Sequence, residues 1–531
     1  MIVTFLPINK KIEIEKEENL YRLAMENGID LGGTCGGKKT CGKCKVLITK
    51  GNDKSYLSEE LDTLSEEEKK KGIRLACCVT LTNDMCAISM IPNKDRDENL
   101  HGTSESTKVK QIRKDGLQYG VAFDIGTTNV VAQLWDITNK EKLSNIERPN
   151  PQSLYGKDVI SRITYGSESK ENLGTLTSLI RNCCNQLIEG LIKAEGINKE
   201  DIVQGVVAAN TTMTQIFCGH SVEGLRKVPV IFAESEGGLH SESPYKGKVY
   251  KAEELGIQIQ GEGSIYVLPS IGGHVGSDIL AGLHSINRQD NKENFLFIDI
   301  GTNGEIALCI DGKVSVCSTA AGPAFEGAVL QQGMTASDGA ITKVEIKEDR
   351  FILDYIGNEK KEIYPIGICG PGALEAVYEL IIHGKMDETG RLLGEYGDNN
   401  YVPLYDSEKG RVILTQKDIR EIQLAKGAIY AGCMTLLKTC RISIGDIDRI
   451  YIAGAFGSHL DVKKAMAIGL LPKTSPQKII CVGNQSLEGA GKMLLEEKDL
   501  SELEKISTSI DHIDLALDSS FEEEFIDAIS F

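Results

Sequence analysis

Residues 121–129 read Val-Ala-Phe-Asp-Ile-Gly-Thr-Thr-Asn, and residues 297–305 read Phe-Ile-Asp-Ile-Gly-Thr-Asn-Gly-Glu. In each copy an apolar run, a glycine turn and a second run follow one another, which predicts two strands joined by a tight turn. Such a turn presents backbone N–H groups to a phosphate, threonine hydroxyls add donors, and the aspartate can hold a Mg²⁺-bound water. The repeat therefore predicts two related lobes, each with a phosphate-binding hairpin.

The predicted contacts to a nucleotide fall in three glycine-containing segments. The third segment, residues 450–457, reads Ile-Tyr-Ile-Ala-Gly-Ala-Phe-Gly and is a buried-looking strand that enters a turn. Its glycines would let the backbone approach a nucleotide, and Asp461 is placed to cap the next helix. The expected contact residues are Asp124, Gly126, Thr127, Thr128, Asp299, Gly301, Thr302, Asn303, Gly304, Gly454 and Gly457.

Together these segments resemble the acetate and sugar kinase, Hsp70 and actin superfamily, in which two facing hairpins clamp ATP. The resemblance implies an α/β actin-like ATPase fold with duplicated RNase H-like lobes. Two glycine-rich stretches flank the second hairpin, and we expect their carboxylates Asp278 and Glu326 to position, with Asp299, the hydrolytic water or Mg²⁺. His274 and His459 are interpreted equally well as ordinary structural histidines.

A run of cysteines near the N-terminus indicates a second kind of site. Cys35, Cys41 and Cys44 lie in a glycine-rich loop, and Cys77 follows at a distance. The spacing C-x5-C-x2-C is one residue longer in its first gap than that of plant-type [2Fe–2S] proteins, where four thiolates hold two irons. Zinc or disulfides are the alternatives, but zinc sites usually pair two short arms of ligands. Cys78 directly follows Cys77, so the fourth ligand is open between them.

The residues around this loop predict a small domain of their own. Residues 1–14 alternate as two short strands, residues 19–25 have the pattern of an amphipathic helix, and residues 45–49 form a further strand. This order resembles a β-grasp ferredoxin, which supports Cys77 as the last ligand. A polar, charged stretch follows and reads as a linker. The expected domains are 1–93 (ferredoxin-like), 94–117 (linker), 118–200 (middle) and 201–531 (actin-like ATPase).

Composition excludes several classes of function. The 531 residues carry a formal net charge of −18, and no basic stripe is present, which argues against nucleic acid as a partner. No run approaches the length of a membrane span and the N-terminus lacks a leader pattern, so we expect a cytoplasmic protein. The fifteen cysteines suit a reducing compartment. Among those beyond the loop, the pairs Cys183 with Cys184 and Cys433 with Cys440 are predicted to pack on helices.

The ferredoxin-like domain, the linker and the ATP clamp together resemble the reductive activators of corrinoid proteins. Residues 207–213 and 415–428 are the most particular stretches besides the cysteine loop and the second hairpin. Lys39 departs from this family, which tends to have glycine there. The resemblance implies a [2Fe–2S] cluster, ATP with Mg²⁺, a corrinoid protein of a methyltransferase system and a low-potential electron donor as partner. A homodimer is compatible with it, although no residue pattern demonstrates one.

In this family the implied reaction returns inactive Co(II) to Co(I) by one electron, with ATP required because the step is uphill. Two other functions remain open from the residues. One is an ATP-dependent electron-transfer activator of another enzyme, such as a dehydratase. The other is a small-molecule kinase regulated by a fused redox domain.

Overall fold

The computed structural model describes two compact units, residues 1–273 with 490–500, and residues 274–489 with 501–531. Cys35, Cys41, His459 and nearly all of the predicted linker lie outside the described residues. The description omits residues 7–9, 15, 28, 30, 32, 34–36, 38, 40–41, 52–54, 90–116, 228–229, 234–239, 242–243, 287–292, 328, 358–362, 455, 458–459 and 497–499.

The first unit begins with a five-stranded mixed sheet in the order β2-β1-β7-β4-β5. Strands β1 and β7 run parallel and the other neighbours antiparallel, and helix α1 packs on the core, as expected for a β-grasp domain. Its elements are β1 (Ile2–Leu6), β2 (Lys10–Glu13), β3 (Glu18–Asn19), α1 (Leu20–Glu26), β4 (Lys45–Lys50), α2 (Ser58–Thr63), α3 (Glu66–Lys70), β5 (Ile73–Leu75), β6 (Thr80–Leu81) and β7 (Met85–Ser89).

The same unit continues with a six-stranded sheet in the order β10-β9-β8-β11-β15-β14, and three helices accompany it. The elements are β8 (Tyr119–Ile125), β9 (Asn129–Asp136), β10 (Glu141–Pro149), α4 (Val159–Glu168), α5 (Lys170–Glu195), β11 (Ile202–Ala209), α6 (Thr211–Cys218), β12 (Phe232–Ala233), β13 (His240–Ser241), β14 (Lys248–Lys251) and β15 (Ser264–Val267). Cys183 and Cys184 are buried on α5, as predicted.

This sheet runs through the boundary predicted at residue 200. Strand β11 pairs in parallel with β8 on one side and with β15 on the other. A domain cut at residue 200 would separate three strands from the hydrogen-bonding partners that complete their sheet. We therefore move the boundary to the end of the first unit, near Gly273.

The second unit is built on a six-stranded sheet in the order β25-β24-β16-β17-β18-β26. Its elements are α7 (Ser277–Ile286), β16 (Phe295–Ile300), β17 (Gly304–Ile310), β18 (Lys313–Thr319), β19 (Ala340–Lys347), β20 (Arg350–Tyr355), β21 (Gly367–Ile368), α8 (Gly370–Ile382), α9 (Gly394–Asn399), β22 (Tyr401–Ser407), β23 (Gly410–Thr415), α10 (Gln416–Thr439), β24 (Arg449–Ala453), α11 (Val462–Ala467), β25 (Ile479–Gly483), α12 (Gln485–Leu495), α13 (Leu500–Ser509), β26 (Asp511–His512) and α14 (Ser519–Ile529). The part of α12 from Ala490 onward belongs to the first unit.

The two large sheets share one topology. In each, a hairpin and a third antiparallel strand are followed by two strands that run parallel to the first: β8-β9-β10 with β11 and β15, and β16-β17-β18 with β24 and β25. This repeated 3-2-1-4-5 order is that of duplicated RNase H-like lobes. The predicted fold class is confirmed, and the repeat in the sequence corresponds to the first hairpin of each lobe.

Local signals in the second unit also act as the sequence predicts. The Thr415 side chain accepts from the Asp418 amide, and Asp418 Oδ2 accepts from the Thr415 amide at 2.9 Å, which completes a capping box for α10. Asp461 caps α11 by accepting from the amides of Lys463 and Lys464. Within the described part of the chain, none of the helices has the length and apolarity needed to cross a membrane.

Candidate iron–sulfur and nucleotide sites

Two of the four predicted cluster cysteines lie in the described residues, and their sulfurs converge. Cys44 immediately precedes β4, Cys77 lies on the turn after β5, and the Ala76 amide donates to the Cys44 carbonyl at 2.8 Å. The Sγ atoms of Cys44 and Cys77 are 3.3 Å apart. A tetrahedral metal with bonds of about 2.3 Å to sulfur spaces its thiolates about 3.8 Å apart, so this pair fits one metal with little movement.

Cys78 lies beside this pair. Its Sγ is 4.0 Å from that of Cys77, and burial, with a smaller contribution from the charge of Glu60, raises the pKa of its thiol to about 11. The close approach of Cys77 to Cys44 supports Cys77 as the fourth ligand. Within the described residues no group of three metal-binding side chains is assembled. The complete ligand set, with Cys35 and Cys41, stays a prediction.

Asn19, which is not among the predicted site residues, fixes the position of Cys77. Its Oδ1 accepts from the amides of Tyr21 and Arg22 and so caps helix α1. Its Nδ2 donates to the carbonyls of Cys77 at 3.0 Å and Val79 at 3.2 Å. One side chain therefore joins the helix to the turn that carries the ligand. An asparagine before an amphipathic helix is a capping signal, but its second role depends on a contact 58 residues away.

Arg74, three residues before Cys77 in the chain, forms a buried ion pair with Glu60. The guanidinium of Arg74 donates to both carboxylate oxygens of Glu60 at 2.7 Å, and the amides of Leu57 and Leu75 also donate to that carboxylate at 3.0 Å. Burial alone would raise the pKa of Glu60, but these hydrogen bonds and the Arg74 charge hold it below its ordinary value. No short-range sequence spacing connects these two residues, so the pair was not predicted.

Lys39 now has a physical explanation. Its φ is 61°, in the left-handed region that favours glycine, and its Nζ lies 3.3 Å from Glu59. The glycine that is typical of the family at this position suits the left-handed conformation. Lysine here strains the backbone but forms an ion pair.

The first hairpin joins β8 to β9 at residues 126–128. A Cβ on Gly126 would lie 2.7 Å from the Asn129 carbonyl, so the turn requires glycine. Behind the turn, Asn210 donates to Thr127 Oγ1 at 3.1 Å and accepts from the Met213 amide, capping α6. The distinctive stretch 207–213 therefore supports this hairpin, a role that the sequence alone did not reveal.

Two further buried side chains hold the same hairpin by its carbonyl groups. Asn150 Nδ2 donates to the Gly126 carbonyl at 2.8 Å. Arg162, fully buried, donates to the Thr127 carbonyl, to Gly156 at 3.0 Å and to the Gln152 side chain at 3.1 Å. Burial lowers the pKa of Arg162 to about 9, and the charge of Asp158 only partly opposes the shift. Both side chains therefore hold the hairpin through its carbonyl groups.

The second hairpin joins β16 to β17 and gathers carboxylates around it. Thr302 Oγ1 donates to Glu326 at 3.0 Å. Glu305 pairs in register with Asp299, and burial together with the charges of Asp278 and Asp299 raises its pKa well above the ordinary value. Asp278, Asp299 and Glu326 were predicted for this site, whereas Glu305 was not. Its position opposite Asp299 follows only once the strand register is known.

The third glycine segment lies against the second hairpin. Gly454 has a φ of 89°, and a Cβ there would lie 2.6 Å from the Ile300 carbonyl and 3.0 Å from Asp299 Oδ1. At Gly457 a Cβ would be 3.2 Å from atoms of Ile452. Gly301, by contrast, has room, since a Cβ would meet nothing closer than the Asn303 carbonyl at 3.6 Å. The fold thus brings Asp299 and Gly454 together within one lobe.

Comparisons with known proteins agree with this architecture. Family models match the 2Fe-2S iron-sulfur cluster binding domain at residues 3–82, the RACo middle region at 119–290, and the C-terminal domain of RACo, the ASKHA domain, at 293–531. Corrinoid activation enzyme RamQ of Eubacterium limosum is 30% identical, over 99% of this chain and 98% of its own.

Two further relatives extend the likeness. The [Co(II) methylated amine-specific corrinoid protein] reductase of Methanosarcina barkeri is 27% identical, over 78% of this chain and 77% of its own. A solved structure titled reductive activator for corrinoid, iron-sulfur protein superposes with a TM-score of 0.70 and 29% identity, covering 100% of this chain and 98% of that one.

Proposed function

Because this chain belongs to the family of corrinoid activation enzymes, we propose that it reduces the cobalt of a corrinoid protein from Co(II) to Co(I) with hydrolysis of ATP. The observation that carries the proposal is the presence, in one chain, of a ferredoxin-like domain with converging cysteine sulfurs and two RNase H-like lobes with glycine hairpins. Phosphoryl transfer to a small molecule does not require the ferredoxin-like domain, and electron transfer by a simple ferredoxin does not require the two lobes.

The thiolates of Cys44 and Cys77, with Cys35 and Cys41, would hold the cluster. When bound, a [2Fe–2S] cluster supplies one-electron transfer at a potential near about −400 mV. Asn19 and the Arg74–Glu60 pair keep the segment that carries Cys77 in place. The donor that loads the electron is a low-potential reductant.

ATP is needed because the electron moves uphill. Each 100 mV by which the donor falls short of the cobalt couple costs about 2.3 kcal/mol per electron. A ligand can shift a conformational equilibrium only through a difference in its affinity for the two states. We infer that the nucleotide changes the arrangement in which the corrinoid protein is held, and that no metabolite is phosphorylated.

Within the lobes, the positions of the glycines and carboxylates support a role for each in nucleotide binding. Amides of residues 126–128 and 302–304 would bind phosphate oxygens, while the Gly301 amide donates to the Asn303 carbonyl at 3.1 Å and shapes the turn. Gly454 and Gly457 would admit the nucleotide base and ribose. Asp299, supported by Asp278 and Glu326, would hold Mg²⁺ or the attacking water. We also place the protein in the cytoplasm, where thiolates stay reduced, and allow for a homodimer.

The test compares two aspartate variants of the second lobe. Asp299→Asn should lower ATP turnover at least about a hundredfold, the usual scale for a lost charge-stabilising group, and abolish ATP-dependent Co(I) formation. Asp311→Asn changes an exposed residue on the turn after β17 and should keep both activities. ATP turnover unchanged in Asp299→Asn would contradict the assignment of the phosphate site. Co(I) formation that persists without ATP would contradict the function.

A further inference from the structure

A short turn in the first unit contacts both the first hairpin and the ferredoxin-like domain. This segment, residues 150–156, is called the docking turn below. Asn150 begins it by accepting from the Gln152 amide at 3.0 Å, and the turn ends where Gly156 accepts from Arg162. Gln152 also donates to the Leu176 carbonyl on α5 at 2.9 Å. The docking turn is therefore a built element, with its buried side chains fixed by hydrogen bonds.

On one side the docking turn is tied to the hairpin. The Asn150 amide donates to the Thr128 carbonyl at 2.8 Å, and its side chain donates to that of Gly126. Arg162 links the Thr127 carbonyl to both Gln152 and Gly156. Three consecutive peptide carbonyls of the hairpin are thus bound by groups that belong to, or directly hold, the docking turn.

On the other side the docking turn meets the ferredoxin-like domain. Leu154 packs against the hydrophobic core of that domain. The positive charge of Arg22 on α1 acts on the Tyr155 hydroxyl, and the ring of Tyr155 lies 4.6 Å from that of Tyr165. A cavity of about 210 Å³ beside this contact is lined by Met25 and other residues of both domains.

Helix α1 leads from this contact to the turn that carries Cys77. Leu20 to Glu26 form only seven residues of helix, and Asn19 at its start donates to the Cys77 carbonyl. Such a short helix depends on packing for its stability. A change in how α1 packs on the docking turn therefore changes the support of the turn that carries Cys77.

We propose that the docking turn is the surface on which the ferredoxin-like domain rests in one state of the protein, and that phosphate bound at the first hairpin tightens this docking. The inference rests on the proposed nucleotide function of that hairpin. Its partner is the ferredoxin-like domain of the same chain, through α1 and Leu154.

The direction of the effect follows from hydrogen-bond cooperativity. A phosphate accepts from an amide on one side of a peptide unit, while Asn150 or Arg162 donates to a carbonyl of the same short hairpin on the other. The hydrogen bond from the amide to the phosphate strengthens the hydrogen bond to the carbonyl by about 10–30%. Undocking removes the support that the ferredoxin-like core gives to Leu154, so these bonds are weaker in the undocked state, and phosphate at the hairpin favours the docked state about threefold in population.

Hydrogen–deuterium exchange of the full chain, read by mass spectrometry under anoxic conditions, tests this directly. Mg²⁺ with a non-hydrolysable ATP analogue should slow deuterium uptake about threefold in peptides covering residues 126–128, 150–156 and 20–26. Leu154→Ser should raise uptake in 20–26 about tenfold, the effect of losing a half-buried leucine, and should leave the response of residues 126–128 intact. Leu143→Ser is the matched control: Leu143 is partly buried on β10 and packs against the core of the same lobe, so its loss should leave uptake in 20–26 unchanged.

A second variant separates the effect of the nucleotide on docking from docking itself. Asn150→Ser keeps a capping oxygen but cannot reach the Gly126 carbonyl, so it should retain basal protection of 20–26 and lose its response to the nucleotide. Visible absorbance of the cluster verifies that each variant is folded. Unchanged uptake in 20–26 in Leu154→Ser, or a nucleotide response that survives in Asn150→Ser, overturns the inference. Calorimetry keeps the two proposals apart, since an analogue that does not bind at all contradicts the proposed function itself.

Discussion

Glu60→Gln is the substitution that probes the ferredoxin-like domain most sharply. The carboxylate of Glu60 is fully buried and receives four hydrogen bonds, two of them from Arg74 at 2.7 Å. Replacing it with an amide leaves the Arg74 charge buried without a counter-charge. Breaking one side of such a pair costs about 3–5 kcal/mol. For a domain of this size each kcal/mol lowers the melting temperature by about 4–8 °C, so a fall of at least about 12 °C is expected.

The assay is loss of the cluster absorbance on heating the full chain, because the cysteine-bearing turn follows Arg74 directly. Glu68→Gln is the matched control: its ion pair with Lys45, at 2.7 Å, is partly exposed, and its loss should cost less than about 1 kcal/mol. Arg74→Met combined with Glu60→Gln should be less damaging than the sum of the single changes, by about 2 kcal/mol or more in a double-mutant cycle. A shift in Glu60→Gln no larger than in the control, or strict additivity, would refute the reasoning.

Three further predictions follow from the same contacts. Cys77→Ser should lower bound iron and sulfide and change the cluster's electron paramagnetic resonance signal, whereas Cys78→Ser should leave both near normal; the reverse pattern would transfer the ligand role to Cys78. Gly454→Ala should weaken ATP binding by tenfold or more and lower stability by about 1–3 kcal/mol, because its Cβ would press on the second hairpin. Gly312 has a φ of 78° and open space around it, so Gly312→Ala should lose stability through backbone strain alone. Because its pKa is lowered in the folded state, Glu60 stabilises the domain fully above its unfolded pKa of about 4.3 and loses this contribution as the pH falls through the folded value. Acid unfolding followed by cluster absorbance should therefore be steeper in the native chain than in Glu60→Gln. Equal slopes in the two proteins would contradict this.

Much of the fold could be predicted because its signals are local. The glycine hairpins, the strand before Gly454, the capping box at Thr415 and the cap at Asp461 all depend on residues within a few positions of one another. The division into domains could not be predicted in the same way. Strand β11 pairs with β8 across an intervening helical segment, and no residue pattern near residue 200 predicts that pairing.

The supporting residues of the sites were missed for a related reason. Glu60 meets Arg74, Asn19 meets Cys77, and Arg162 meets Thr127 only after the chain has folded. A lone arginine in an amphipathic helix is ordinarily predicted to be exposed, so Arg162 carried no signal of its fully buried position. The sequence therefore offers candidates for the groups that contact ligands, whereas the groups that hold those candidates in position emerge only from the folded structure.

The central claim is tested most directly by the visible spectrum of a corrinoid protein held as Co(II), under anoxic conditions, with this protein and a low-potential reductant. The spectrum is recorded before and after addition of Mg-ATP. The account predicts that Co(I) appears only after the nucleotide is added. If the cluster is reduced and ATP is hydrolysed while the cobalt stays Co(II), the electron has another acceptor and the proposed function is wrong.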